Sequence, residues 1–508
     1  MSILMKIPQK KDDESLSQYS GNLARLFNSL NSKNSKKNKG QFFTSVEIAR
    51  YMASLVTAKK SKISVLDPGA GIGILSFAVI EQLVENNRNL EELSLILYEN
   101  DVEVIPYLKK ALEIAKDELK NRKIKFVYEI IEKDFISSNS NALNNNLSEY
   151  CESKKNSFDI IISNPPYFKL NKKDVNAKFR DIISGQPNIY FLFMAISAKL
   201  LNANGEMIYI TPRSFCSGLY YSKFRSWLID KVSFTHIHLF ESRKDLFSSE
   251  NVLQENIITK FTRVKQDTIT ISKTTDGNLS NIQSIQVMKK DVIYKSNGHI
   301  FFRIPSDDNE LNVIKTLDKL PYNFYKLGIK ISTGKVVAFR NKEYLDNNVG
   351  ENSVPLIWMH NIKNGKIQWP INKKNKPLAI KKNATTKKLL LEAKNYIVLK
   401  RFTTKEQKKR FDIALIYQKD FEKYKYFALD NMVNYIHNPG QPLNKNQIKG
   451  IAKYLNMPIV ELYFRILNGH TQVNANEVYA LPFPSLAELE LFGSSINCTN
   501  NIPVLMNQ

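Results

Sequence analysis

The sequence predicts an α/β fold built on an open, mainly parallel sheet, and three observations carry that expectation. Residues 158–162 read FDIII, an apolar run rich in β-branched residues without polar alternation, which suits a strand buried on both faces. Residues 63–66 run straight into the turn Asp67-Pro68-Gly69-Ala70-Gly71-Ile72-Gly73, and a helical apolar stretch follows from about Ile74. Two further apolar runs, LSLILYEN and KIKFVYEIIEKDFI, carry acidic residues at their ends, Glu99 and Asp134. At 508 residues the chain is too long for a single core, so two or three domains are expected.

The totals narrow the class. A hydrophobic content of 43% with 24% charged residues is ordinary for a globular protein, and no apolar run approaches the length of a membrane span. The opening MSILMKIPQKKDDE is too short in apolar residues for a signal peptide. Cys151, Cys216 and Cys498 lie far apart without metal-ligand spacing, which points to a reducing compartment, the cytoplasm, and to no zinc site. Lys and Arg number 73 against 49 Asp and Glu, a net charge of +24. Such an excess suits a polyanionic partner, because cationic side chains displace counterions from a phosphate backbone. A lysine-rich compositional bias would give the same total without a partner.

Taken in order, LARLFNSL reads as a short amphipathic helix, and NSKNSKKNK after it as a flexible basic linker, so residues 1–36 form an N-terminal extension. GQFFTSVEIARYMASLV places Thr44 or Ser45 as the cap of a helix with apolar positions at Ile48, Tyr51, Met52 and Leu55. The glycines of the next turn let a ligand approach the backbone at a helix N-terminus, as in a dinucleotide site. Two details favour S-adenosylmethionine instead. GAGIG is not GxGxxG, and Asp67 would repel a pyrophosphate but suits the cationic methionine end of that cofactor. Glu99 can accept both ribose hydroxyls, Asp134 can accept from an adenine amino group, and Phe135 can pack on the ring.

The strand at 158–162 breaks into Asn164-Pro165-Pro166-Tyr167. Two prolines fix φ and remove two backbone donors, leaving a rigid turn at a strand's carboxyl end. An amide side chain, carbonyls without competing N–H groups and an aromatic face can hold a planar amino group with its nitrogen free to attack. The expected chemistry is methyl transfer to the exocyclic amine of a base.

Beyond this turn, KLNKKDVNAKFRDIISGQPN is basic enough to meet DNA, and IYFLFMAISAKLL reads as a helix ended by Gly205 before the strand EMIYITP. Two last strands flank a loop carrying Phe247, and His236 and His238 alternate on one of them as structural residues. Composition shifts at about Lys265, so the first domain is expected at 37–265 and a second region at 266–508. TITISKTTDGNLSNIQSIQV reads as a connecting hairpin. Later basic segments interleave with Trp358, Trp369, Tyr396 and Phe402, as on a DNA-reading surface. Candidate DNA contacts there are Lys335, Arg340, His360, Lys400, Arg401, Asn468 and His470.

Together these residues resemble the gamma-class amino-methyltransferases of DNA, in which a TP-type motif, cofactor glycines, NPPY and a C-terminal target-recognition domain follow one another. The matching residues here are Phe43 and Thr44 (Ser45 stands where proline is usual), Asp67, Pro68, Gly69 and Gly71, then Glu99, Asp134 and Phe135, then Asn164 to Tyr167. VLQENII, ISTGKVVAFR, LIWMHNIKNGKIQWP, YIVLKRFTTKEQKKR and LNGHTQVNANEV look like the PstI/BsuBI-type adenine methylases of type II restriction–modification systems. The resemblance spans about residues 37–484.

It implies a Rossmann-like class I methyltransferase sheet of seven strands with an antiparallel member near its end, followed by an α+β target-recognition domain. It also implies S-adenosyl-L-methionine as cofactor and an adenine flipped out of double-stranded DNA. The side-chain oxygen of Asn164 and the carbonyl of Pro165 would accept from the amine, with Tyr167 stacking on one face of the base and Phe247 on the other. No PD…(D/E)xK arrangement is evident, so cleavage is expected from a separate cognate restriction endonuclease. The same turn also fits other acceptors: cytosine N4, an RNA base, or a protein glutamine amide. A DNA-binding specificity protein with an inert methylase half is the alternative from another class.

Overall fold

The computed structural model describes residues 7–30, 43–143, 157–169, 188–240, 255–274, 281–403, 409–468 and 472–495, with 179, 181–183, 185, 279 and 407. The chain divides into two compact units, Met1–Val292 and Ile293–Gln508.

The first unit begins with α1 (Leu16–Leu30) and α2 (Val46–Ser54), the latter capped by Ser45, whose hydroxyl accepts from Ile48 N at 3.3 Å. There follow β1 (Lys62–Asp67), α3 (Ile74–Asn86), β2 (Glu92–Tyr98), α4 (Ile105–Asn121), β3 (Lys125–Ile131), the one-turn α5 (Phe135–Asn139) and β4 (Phe158–Ser163). After these come α6 (Ile189–Leu200), β5 (Leu201–Pro212), α7 (Ser222–Lys231), β6 (Ser233–Phe240), β7 (Asn256–Thr262), β8 (Thr268–Thr274) and β9 (Ile282–Met288).

Their order in the sheet is β3-β2-β1-β4-β5-β7-β6-β8-β9. The first five are parallel, β7 runs antiparallel to both β5 and β6, and β6 is parallel to β8. Strand order reverses between β1 and β4, where Val65 pairs with Ile160 and Leu66 with Ile161. Such a reversal splays the following loops apart and leaves a crevice at the carboxyl ends. All six residues of β4 are buried, as suits a strand covered on both faces, and its one charge, Asp159, is paired with Lys60 Nζ at 2.6 Å.

Four expectations are corrected. The sheet has nine strands, not seven, because the polar segment at 268–288 pairs β8 to β6 and carries β9 at the edge. It therefore belongs to the first unit, which runs on past Lys265 to Val292. Nor is the N-terminal helix a mere extension. Leu16, Tyr19, Leu23, Ala24 and Phe27 are buried in the same core as β1 and α3, and Ser20 Oγ donates to Ile72 O at 2.5 Å. Gly21 lies so close to α2 that an added Cβ would meet Val46 at 2.5 Å. Finally, Gly205 does not end a helix; it lies inside β5, where a Cβ would stand 2.8 Å from Phe158 O.

The second unit is α+β. A six-stranded sheet includes Lys330–Thr333, Tyr396–Lys400 and Val433–His437, and a five-stranded sheet includes Ser353–Ile357 and Tyr426–Leu429. Helices Lys445–Leu455 and Leu486–Ser494 touch backbone to backbone, since a Cβ on Gly450 would fall 1.7 Å from Leu489 O. Among the described residues of the chain, no helix is long and apolar enough to cross a membrane.

A buried polar cluster ties α2 to the far half of the first sheet. Tyr51 Oη lies 3.0 Å from His238 Nδ1 and 2.9 Å from Ser272 Oγ, and Ser272 Oγ lies 2.7 Å from His236 Nε2. Burial pushes the His236 ring from its ordinary 6.5 down to about 4, and that of His238 to about 3. Both rings are neutral in the fold, whereas the unfolded chain takes up protons below pH 6.5. This contribution to stability is complete above that pH and is lost as pH falls through it toward 4. Melting curves from pH 7.5 to 4.5 should show a steep fall in Tm, and His238→Gln should make that fall shallower; an equal slope in the variant would contradict the assignment.

Candidate active site

A cavity of about 520 Å³ opens at the strand-order reversal, within the ~300–1,000 Å³ range common for small-molecule sites. The loops after β1, β2, β3 and β4 build its walls, and the segment leading into α2 closes one side. Phe43, Thr44, Pro68, Gly69 and Gly71 line it, as do Glu99, Asp134, Phe135, Asn164, Pro165 and Pro166. The topology thus gathers most of the residues singled out from the sequence.

The glycine turn after β1 owes its shape to two left-handed residues. Gly71 has φ +55° with Phe43 only 3.1 Å from where a Cβ would stand, and Gly73 has φ +84° with Phe77 at 2.6 Å. Both positions need glycine, for backbone conformation and for space. The Gly71 N–H donates to Glu99 Oε2 at 2.8 Å, and the Asp101 N–H to Glu99 Oε1 at 2.8 Å. The Glu99 carboxylate is therefore fixed by two backbone donors, and each oxygen keeps a lone pair for a ligand hydroxyl. Burial is the main influence on its pKa, which lies above the usual carboxylate range.

At the end of β3, Asp134 Oδ1 caps α5 by accepting from Ser137 N at 2.7 Å. Phe135 is buried, with Tyr98 at 5.0 Å and Phe193 at 5.2 Å between ring centroids, so it offers a rigid apolar face. Asp67 stands apart from this group. It is fully buried, does not line the cavity, and is held by Ser76 Oγ at 2.8 Å and Gly69 N at 3.4 Å. In this position it braces the glycine turn from behind, a placement that its strand-end location did not reveal.

The turn after β4 is held by hydrogen bonds on both sides of the Asn164 amide. Nδ2 donates to Thr44 Oγ1 at 3.1 Å, and Oδ1 accepts from Tyr167 Oη at 2.7 Å. The same phenol lies 3.0 Å from Ile210 O. Tyr167 is so enclosed that burial drives its pKa far up, and it stays protonated. Tyr167 is not part of the cavity wall, whereas Phe168, which the sequence reading passed over, lines it and is 40% exposed. The sequence reading also missed Asp101, Lys133 and Phe193 in the wall; each sits within two residues of a singled-out position or on the neighbouring apolar helix. Phe247 lies outside the described residues.

In the second unit the singled-out residues divide. Lys335 and Arg340 are exposed, Lys335 Nζ donating to Lys388 O at 3.1 Å and the Arg340 guanidinium lying 5.3 Å from the Phe339 ring centre. Lys400 pairs with Asp412 at 2.5 Å, and Arg401 donates to Asn431 O at 3.2 Å. His360 Nε2 is buried without a hydrogen-bond partner, and burial holds that ring's pKa below its ordinary value. Asn468 requires correction as a DNA contact. It is 2% exposed, accepting from Arg410 Nη2 at 3.1 Å and donating to Gln472 O at 3.0 Å, so its amide joins internal segments. His470 lies outside the described residues.

Burial raises the Asp67 carboxyl from 3.8 to about 7. Above pH 3.8 the unfolded chain is ionised while the fold retains the proton, so the fold is disfavoured progressively until about pH 7. Without cofactor, Asp67→Asn should raise Tm by a few degrees at pH 8 and give no gain at pH 4. An equal shift at both values would contradict the buried, proton-holding state.

A family model described as Eco57I restriction-modification methylase matches residues 43–247, which hold every wall of this cavity. The type II methyltransferase M.PstI of Providencia stuartii is 34% identical over 461 residues, covering 90% of this chain and 89% of that protein. M.BsuBI of Bacillus subtilis is 35% identical over 456 residues, covering 89% and 88%. M.AccI of Acinetobacter calcoaceticus is 27% identical over 262 residues, 50% of this chain and 41% of its own length. The sheet is accordingly a class I methyltransferase sheet, and S-adenosyl-L-methionine is the cofactor that its strand-end residues fit. This chain belongs to the family of type II restriction–modification methyltransferases represented by M.PstI and M.BsuBI.

Proposed function

We propose that the chain transfers a methyl group from S-adenosyl-L-methionine to the N6 amine of an adenine flipped out of a specific sequence in duplex DNA. The observation that carries this reading is the Asn164-Pro165-Pro166 turn, which stands in the same cavity wall as Gly71, Glu99 and Phe135. An acceptor-rich turn beside a nucleoside-shaped site brings an amine to a methyl donor. Asparagine at the first position of the turn favours adenine, because cytosine-N4 enzymes more often carry serine there.

The cofactor supplies an electrophilic methyl group on a positively charged sulfur. The chain's own residues do the rest by positioning. Asn164 Oδ1 and the Pro165 carbonyl accept the two amine hydrogens and draw the nitrogen lone pair out of ring conjugation. Glu99 receives ribose hydroxyls, Asp134 an adenine amino group, and Phe135 packs on that ring, while Phe43 and the glycine turn enclose the remainder. The base rests against Phe168, which lines the cavity, with Phe247 on its other face, while Tyr167 holds the Asn164 amide from outside the wall. No covalent nucleophile takes part.

The second unit is assigned to target recognition. Its exposed Lys335 and Arg340, and the net charge of +24 on the whole chain, suit a phosphate backbone. Lys400, Arg401 and His360 are further contacts in this reading. A separate endonuclease acts on the same unmethylated sites, and the pair works in the cytoplasm.

Asn164→Ala tests the assignment. Transfer of tritiated methyl from S-adenosylmethionine to duplex DNA should fall at least ~1,000-fold, while cofactor affinity stays within about threefold. Loss of cofactor binding with transfer retained at saturation would refute the role given to Asn164.

A further inference from the structure

Asn164 can serve as an acceptor only if its amide is turned the right way. With the amide reversed, N–H groups would face the amine hydrogens, donor against donor. What fixes the orientation is therefore part of the catalytic problem, and the hydrogen bonds around Asn164 bear on it directly.

Among the described residues, the two hydrogen-bond neighbours of the amide, Thr44 and Tyr167, are hydroxyls, able to give or to take a hydrogen. Thr44 Oγ1 is 3.1 Å from Nδ2, and Tyr167 Oη is 2.7 Å from Oδ1 and 3.0 Å from Ile210 O. The Ile210 carbonyl can only accept, and the phenol owns one hydrogen. If Tyr167 gives that hydrogen to Ile210, its oxygen is left to accept from Asn164 Nδ2, and Thr44 then donates to Oδ1. Every group in that reversed chain is satisfied. In the orientation seen here, Nδ2 donates to Thr44, and the Thr44 hydrogen has no acceptor among the described residues. Thr44 is 93% buried by the complement of its 7% exposure, and it stands in the cavity wall beside Phe43. An acceptor that enters the cavity is the remaining destination for this hydrogen.

We infer that Thr44 is a positioning residue which couples cofactor binding to the orientation of the Asn164 amide. Once an acceptor in the cavity takes its hydrogen, Thr44 can only accept, Nδ2 turns to it, and Oδ1 is held as the acceptor for the amine. Donation from Nδ2 also polarises the amide and strengthens Oδ1 as an acceptor. This inference rests on the amine-methylating reading of the site and adds an order to it: the cofactor prepares the turn for the base.

The test compares Thr44→Val, isosteric but without a hydroxyl, with Thr44→Ser, which restores one. Affinity for sinefungin, a cofactor analogue, is measured by calorimetry, and DNA affinity is measured with and without saturating sinefungin. Wild type and Thr44→Ser should bind a specific duplex more tightly when sinefungin is present. Thr44→Val should lose that enhancement and bind sinefungin roughly 10-fold more weakly than wild type, for want of the donated hydrogen, and its single-turnover methyl transfer should still fall roughly 10- to 100-fold at saturating cofactor. Enhancement retained in Thr44→Val, or lost equally in both variants, would overturn the inference. So would a rate loss in Thr44→Val that disappears at saturating cofactor. If no protein transferred label, the functional reading would fail, and the two binding measurements would still decide the role of Thr44.

Discussion

The pairing of β1 with β4 is the constraint on which the rest of the site depends. It sets two strands side by side whose following turns are both rigid, one through glycines in left-handed conformations and the other through consecutive prolines. The register of β4 against β1 is held by the pairing of Val65 with Ile160 and by Asp159 accepting from Ser64 N at 3.0 Å, and this fixes the NPPY turn in height relative to the glycine turn. A cavity between them follows from the strand order itself. The strand-end carboxylates then acquire distinct tasks from their surroundings. Glu99 is oriented by two backbone donors, Asp134 by the helix that it caps, and Asp67 is withdrawn behind the glycine turn.

The same logic explains why helices far from the cavity matter to it. The α1 helix packs into the core next to α3 and reaches the glycine turn through Ser20 and Ile72. The α2 helix follows Thr44 directly and is tied to β6 and β8 through Tyr51, two histidines and Ser272. Thr44 is thus anchored to the sheet on the side away from the NPPY turn, which lets one hydroxyl hold an amide orientation. Positioning, not a reactive nucleophile, is what this architecture supplies.

Much of the first unit was legible in the sequence, because parallel strands buried on both faces announce themselves as apolar runs. Strands β1 to β4, β6 and β7, the second half of β5, and helices α2, α3 and α6 stand where periodicity and turn chemistry put them. The failures have physical causes. β8 and β9 are polar enough to read as a connector, since an edge hairpin needs few apolar side chains. The basic run after Leu30 disguised α1 as an appendage, although its apolar face at Leu16, Leu23 and Phe27 belongs to the main core. Chain order could show that Asp67, Tyr167 and Phe168 lie at strand ends, but not which of them faces the cavity. That depends on side-chain direction within a turn. Asn468 misled for the opposite reason: an amide in a polar segment looks exposed until its partners Arg410 and Gln472 are seen.

The central claim is that the acceptor is the exocyclic amine of adenine. Nucleoside mass spectrometry of DNA from a methylation-free host expressing only this chain tests it most directly. The account predicts N6-methyldeoxyadenosine, absent from cells carrying the empty vector, and no N4-methyldeoxycytidine. N4-methyldeoxycytidine in its place, or unmodified DNA from cells that make the folded protein, would contradict it.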